Sequence, residues 1–443
     1  MKVRGLPVDP GPAGWNRLLP DPAPAVPLVG RLTADWLVIG AGFAGLSAAR
    51  RLSQLDPGSR IVVVDATRIG EGPAGRNSGF MVDLPHNLTS EDYAGAVDDD
   101  IEQARNNRRA IEFASGIAEE FGLGAEAFNR SGKINAAATA RGHRRNLSYA
   151  KHLDAMGEPY ELLDADQMRE ITGIGYYRNG LFTPGAAVMQ PALYVRGLAE
   201  ALRSGGVSVH EESPVTELRR SGDWLAVTPR GQVVSPRVIL AVNGHLNSYG
   251  FLPGRLAHVF TYASMTRALD SDEVRRLGGR PVWGVTPADP LGTTVRRISG
   301  TGGERIVVRC RFTFDPSMRA SERRLDRAAR SHDRAFAARF PMLEGVGMEF
   351  RWGGRLCLSL NGVQVIRELE EGLFSACCQN GIGTARGTFA GMSVAELACG
   401  IGSESLDHVL SAPLPSRLPP GPVARIGAWL RIRCSEAMAR GEL

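Results

Sequence analysis

The chain has 443 residues, 52 basic and 47 acidic, for a formal net charge of +5, with 43% hydrophobic and 22% charged residues, which is globular composition with enough chain for two domains. No apolar run approaches the roughly 20 residues that span a bilayer, and the small basic excess is spread along the chain rather than gathered into the stripe that nucleic-acid binding asks for. The six cysteines, Cys310, Cys357, Cys377, Cys378, Cys399 and Cys434, form no CxxC pair, so neither a metal site nor a disulfide framework is expected.

Residues 1–32 are rich in Pro and Gly and lack the apolar segment of a secretory signal. They read as an extended arm leading into the first strand, in a chain of cytoplasmic type. Residues 35–39 form a short apolar strand that runs directly into Gly40-Ala41-Gly42-Phe43-Ala44-Gly45. Leu46, Ala49 and Leu52 then recur at helical spacing, residues 61–64 form a second strand, and that strand ends in Asp65. Each part has a physical task. Gly40 permits a tight turn, Gly42 admits a pyrophosphate close to the backbone, and Gly45 lets helix and strand pack closely. The helix N-terminus offers unpaired N–H groups and the positive end of its dipole. Asp65 stands where an acid accepts hydrogen bonds from ribose hydroxyls. The segment therefore binds a dinucleotide, with NAD and FAD not separated by the fingerprint. Residues 68–80 follow, a glycine-rich stretch with no core element in it, either a loop in close approach to a ligand or a plain surface loop.

Farther on, residues 191–202 read as a helix, followed by a strand over 207–210 and by Ser213-Pro214-Val215. A strand over 238–242 ends in Asn243-Gly244-His245. Strand-like runs at 258–265, 293–298 and 306–314 are separated by turn signals. Arg296, Arg297, Arg309 and Arg311 on these runs are either carboxylate ligands or solvated strand ends. The basic run 319–339 carries Leu325, Ala329, Phe336 and Phe340 at helical spacing, which predicts a solvated helix with one buried stripe. Residues 372–376 lead through Cys377-Cys378-Gln379 into Asn380-Gly381-Ile382-Gly383-Thr384, with a helix over about 386–398. A Pro-rich linker, 413–422, precedes a basic amphipathic helix that is expected to dock on its own domain or on a sister subunit.

With these motifs in hand, the chain resembles the D-amino-acid-oxidase-like family of FAD oxidoreductases, which includes sarcosine oxidase, glycine oxidase and gamma-glutamylputrescine oxidase. The resemblance rests on the first glycine turn, on Gly75-Arg76-Asn77-Ser78-Gly79 and on the closing 380–384 segment. It implies an α/β fold: a Rossmann-type FAD-binding domain of the glutathione-reductase type, built from 33–111, 185–249 and 346–410. A mixed-sheet substrate domain, 112–184 and 250–345, is interleaved with it, and 411–443 form a C-terminal linker and helix. The implied FAD-binding residues are Gly40, Gly42, Phe43, Ala44, Gly45, Asp65, Ala66, Arg76, Asn77, Ser78, Gly79, Val215, Asn243, Gly244, Gly353, Asn380, Gly381, Ile382, Gly383 and Thr384. Two departures stand out: the family often has His-Pro where Gln190-Pro191 lies here, and Asp65 replaces the usual ribose Glu.

The implied chemistry is oxidation of a small amine or amino acid, with oxygen or another electron acceptor as second partner. Oxidation of a hydroxy acid or polyol is the alternative within enzymes, and a flavin-binding subunit of a larger electron-transfer complex the alternative outside them. His245, Tyr262, Arg355 and Asn380 are the catalytic candidates, because each lies beside a segment expected near the flavin. Cys357 lies where some relatives tether the flavin covalently, against the commoner fate of a buried structural cysteine.

Overall fold

The computed structural model describes all residues except 4, 88, 89, 91 and 440. Its first sheet has six strands in the order Val365–Glu370, Leu373–Cys377, Arg237–Leu240, Trp36–Ile39, Ile61–Val64, Ser208–His210. Trp36–Ile39 pairs in parallel with both Ile61–Val64 and Arg237–Leu240. Every residue of Trp36–Ile39 and of Ile61–Val64 is buried. That is why these strands read as unbroken apolar runs: a parallel sheet is covered on both faces. The helices Phe43–Leu55 and Ala385–Ala398 share one apolar core over this sheet.

The second sheet has eight strands, in the order Met348–Leu358, Ala257–Thr266, Arg305–Phe314, Thr294–Ile298, Trp283–Pro287, Lys133–Ala137, Asn179–Thr183, Glu161–Leu163. One face packs Ile134, Val285, Val295, Ile306 and Val308 against Phe336 and Phe340. The helix Glu322–Arg339 supplies Phe336 and buries Leu325 and Ala329, the stripe expected from its spacing. A smaller sheet takes the end of the N-terminal arm, Gly30–Thr33, as an edge strand beside Gly231–Ser235.

Three expected boundaries cut a continuous element: 32/33 falls in the strand Gly30–Thr33, 111/112 in the helix Val97–Glu120 and 410/411 in the helix Glu404–Ser411. The strand Met348–Leu358 pairs along its length with Ala257–Thr266, so it belongs to the second sheet although it follows 345/346. That membership depends on long-range pairing, which sequence spacing does not carry. The tail helix, Gly421–Met438, lies along Arg305–Phe314, with Glu436 its one buried residue. Beyond it, Glu442 accepts hydrogen bonds from the N–H groups of Ala138 and Thr139.

Candidate functional site

Gly40 leaves its strand at φ +105°, a conformation that disfavours a side chain. A Cβ on Gly45 would stand 1.7 Å from the Gly40 carbonyl oxygen, so only glycine lets the helix Phe43–Leu55 sit this close to the strand end. The helix is capped by Gly42 in extended conformation, with no side-chain cap and no acid in its first turn. Its free N–H groups and dipole are left for an anion. Asp65 stands beside the turn: one carboxylate oxygen accepts from the Ala41 N–H at 2.8 Å, the other from the Thr67 N–H at 2.8 Å. Burial raises the pKa of this carboxyl, opposed by those same hydrogen bonds.

One cleft runs past this turn. Of the expected cofactor residues, Gly40, Gly42, Phe43, Ala44, Asp65, Ala66, Arg76, Asn77, Val215, Asn243, Gly381 and Gly383 line it, together with His245, Arg355 and Cys357. Gly45, Ser78, Gly79, Gly244, Gly353, Asn380, Ile382 and Thr384 do not. Several of these stand one layer behind. The Gly79 carbonyl accepts from the Met189 N–H, and the Thr384 hydroxyl donates to the Phe80 carbonyl at 2.6 Å. Gly244 lies against the His258 ring, and Gly353 against Pro10 and Tyr262.

Two catalytic candidates fall away from the cleft. The Tyr262 hydroxyl shares a hydrogen bond with Thr313 Oγ1 at 2.7 Å, and its side chain borders a separate cavity between the helices Glu322–Arg339 and Gly421–Met438. The partner strand Arg305–Phe314 bulges at Arg311, φ +69°, opposite the Thr261–Tyr262 step. Alternation counted along that strand from the sequence does not survive the bulge. Asn380, at φ +51°, accepts from the Ser359 N–H and donates to the Gly362 carbonyl, both at 2.8 Å. It pins the 359–362 loop to the closing turn.

The other two stay. His245 points Nε2 at the Gly5 carbonyl, 3.2 Å away, and burial takes its pKa from 6.5 to about 4, so the ring is neutral near pH 7. Arg355 is ion-paired with Asp9.

That pair exposes what the sequence reading missed. Leu6, Pro7, Val8 and Asp9 line the cleft, so the N-terminal arm is one of its walls. Arg76, only 8% exposed, clips the arm in place: its guanidinium donates to the carbonyls of Pro10, Gly11 and Gly353. An irregular segment has no periodicity from which such a contact is readable, and Pro and Gly content signals only the absence of helix and sheet.

A family model described as FAD dependent oxidoreductase (DAO) matches residues 35–397. The chain belongs to this family. The oxidoreductase is 24% identical over 429 residues to a probable oxidoreductase OrdL of Rhizobium meliloti, covering 93% of each chain. It is 27% identical over 381 residues to the gamma-glutamylputrescine oxidoreductase of Escherichia coli, covering 83% of this chain and 84% of that one. Among solved structures it is similar to glycine oxidase from Geobacillus kaustophilus, with a TM-score of 0.69 and 18% identity over 84% of this chain and 96% of that one, a likeness of fold.

The donor chemistry of the cleft suits FAD. A second helix, Ala385–Ala398, also starts without a side-chain cap or an acid in its first turn, and the closing turn before it lines the cleft through Gly381 and Gly383. Two uncapped helix N-termini thus serve one cleft, as a molecule with a pyrophosphate at one point and a charge-accepting ring at another requires.

Proposed function

We propose that this FAD-dependent oxidoreductase oxidises the C–N bond of a small amine or amino acid. The observation that carries the reading is the single cleft that joins Gly42, Asp65 and the Gly381–Gly383 turn, in a family whose matched relatives include a gamma-glutamylputrescine oxidoreductase. In this reading the N–H groups at Gly42 and Phe43 hold the pyrophosphate, Asp65 takes the ribose hydroxyls, and the helix Ala385–Ala398 faces the flavin pyrimidine. FAD when bound supplies the two-electron acceptor. The arm and Arg76 exclude water from the cleft, which strengthens each polar contact inside. His245, neutral and buried, orients or accepts a proton through its ring rather than repelling an ammonium group.

We further read the FAD as non-covalent. A hydrogen bond with Cys378, together with burial, pushes the Cys357 thiol well above its ordinary pKa, which keeps it from the thiolate form that would attack a ring. A cytoplasmic setting agrees with six free cysteines.

Anaerobic mixing of the FAD-loaded protein with panels of amines, amino acids, 2-hydroxy acids and polyols tests the reading. Bleaching of the flavin by an amine or amino acid is the expected result. Bleaching by a 2-hydroxy acid or polyol alone would overturn it. Readmitting air then separates an oxidase, which recovers its colour, from a dehydrogenase.

A further inference from the structure

The two basic segments of the chain, residues 319–339 and the tail, come together in the fold. Between the helices Glu322–Arg339 and Gly421–Met438, over the end of the strand Arg305–Phe314, lies the cavity that Tyr262 borders, of about 720 Å³. That is within the roughly 300–1,000 Å³ typical of ligand sites. It shares no lining residue with the cofactor cleft. Its walls carry one sign of charge. Arg327, Arg330 and Arg334 line it from one helix, Arg425 and Arg433 from the other. Two acids also line it, and both are taken. Asp315, 5% exposed, is ion-paired with Arg324, and Glu436, 8% exposed, accepts from Arg311 at 2.7 Å. Arg334 reaches the Ser331 hydroxyl, at 3.4 Å. Among the described residues Arg327, Arg330, Arg425 and Arg433 have no ion-pair or hydrogen-bond partner.

This charge works against the docking of the tail. The tail helix buries a single residue, Glu436, near its end. Its Arg425 and Arg433 share the cavity with three arginines of the other helix, and like charges around one concavity repel. A helix so lightly packed is held there best with an anion in the gap. Guanidinium forks match phosphate oxygens two at a time. Cations on two walls call for an anion with charge on more than one side, which a di- or triphosphate has and a lone carboxylate lacks. Trp429, 58% exposed, lines the same cavity and offers a ring on which a base can stack.

We propose that this cavity binds a di- or triphosphate group, free or carried by a nucleotide, and that the bound anion clamps the tail helix to the helix Glu322–Arg339. The site is separate from the cofactor cleft and does not depend on which substrate the flavin oxidises.

The probes are inorganic triphosphate and ATP, both metal-free, titrated into the FAD-loaded full chain by calorimetry, with adenosine and chloride as controls. Saturable triphosphate binding at one site is expected, weakened tenfold or more in both Arg327→Gln and Arg425→Gln and partly restored in Arg425→Lys. Arg230→Gln, an exposed arginine outside the cavity, should bind as the wild type does. Unchanged flavin absorbance in each variant shows that the fold persists. Slowed hydrogen exchange across residues 421–438 on binding supports the clamp, and unchanged exchange there overturns it. No binding by the wild type, equal binding in wild type and both Gln variants, or an equal loss in Arg230→Gln overturns the site. Release of the flavin by triphosphate also overturns it, because the anion then competes for the cofactor cleft. ATP affinity above that of triphosphate, lost in Trp429→Leu, supports a nucleotide as the source, and equal affinities support the free anion.

Discussion

Lys133 is 2% exposed and donates to Asn135 Oδ1 at 2.7 Å, and replacing it by Met should stabilise the protein. Burial lowers the Lys133 pKa from 10.5 to about 8. At about 1.36 kcal/mol per pKa unit, carrying the proton inside the fold costs on the order of 3 kcal/mol relative to water. Met keeps the unbranched stem and removes the charge. The variant forfeits the hydrogen bond to Asn135, worth about 1.5 kcal/mol for a charged donor. The net expectation at neutral pH is a gain on the order of 1–2 kcal/mol. The pH dependence gives the sharper signature. Between pH of about 8 and 10.5 the unfolded chain still binds the proton that the fold has released. Wild-type stability therefore rises with pH through that window, and the contribution lost below it is recovered above it. The variant lacks this rise, so its advantage should vanish by about pH 10.5. Urea unfolding of the FAD-loaded wild type and variant across that range measures it. A variant that is less stable at neutral pH, or two parallel pH curves, would refute a net burial cost for the Lys133 charge, which Asp83 offsets only in part.

Three other outcomes are expected. Burial lowers His245, His258 and His332 from 6.5 to about 4, so unfolding takes up protons in that window and stability should fall as pH drops from about 6.5 to about 4, while urea midpoints that stay flat there would contradict the burial of neutral rings. Gly45→Ala forces a Cβ against the Gly40 carbonyl; a destabilisation of about 3 kcal/mol is expected, with loss of bound FAD on gel filtration, and a variant that retains full flavin would remove the close-packing argument. Acid denaturation should release the flavin from the chain, and an intact mass increased by one FAD would show a covalent bond and count against a protonated Cys357.

How much of this was legible in the sequence depends on distance along the chain. The strand, turn, helix, strand and acid from Trp36 to Asp65 were readable because each step is set by its neighbours: a continuous apolar run, glycines at fixed spacing, a 3.6-residue period. The stripe on Glu322–Arg339 was readable for the same reason. Tyr262 and Asn380 were misjudged as neighbours of the cleft because the cross-strand contact of Tyr262 with Thr313 and the left-handed turn at Asn380 have no local signal.

The wall made by Leu6 to Asp9 and the burial of Lys133 belong to the tertiary structure alone. Composition marks an arm, but only its docking on Arg76 and Arg355 places it over the cleft. The sequence names Arg309 as a strand cation. It cannot say that strands 133–137, 283–287, 294–298 and 305–314 lie side by side. That order is decided by which backbones hydrogen-bond across the sheet, and it is what buries Lys133 in the middle of it.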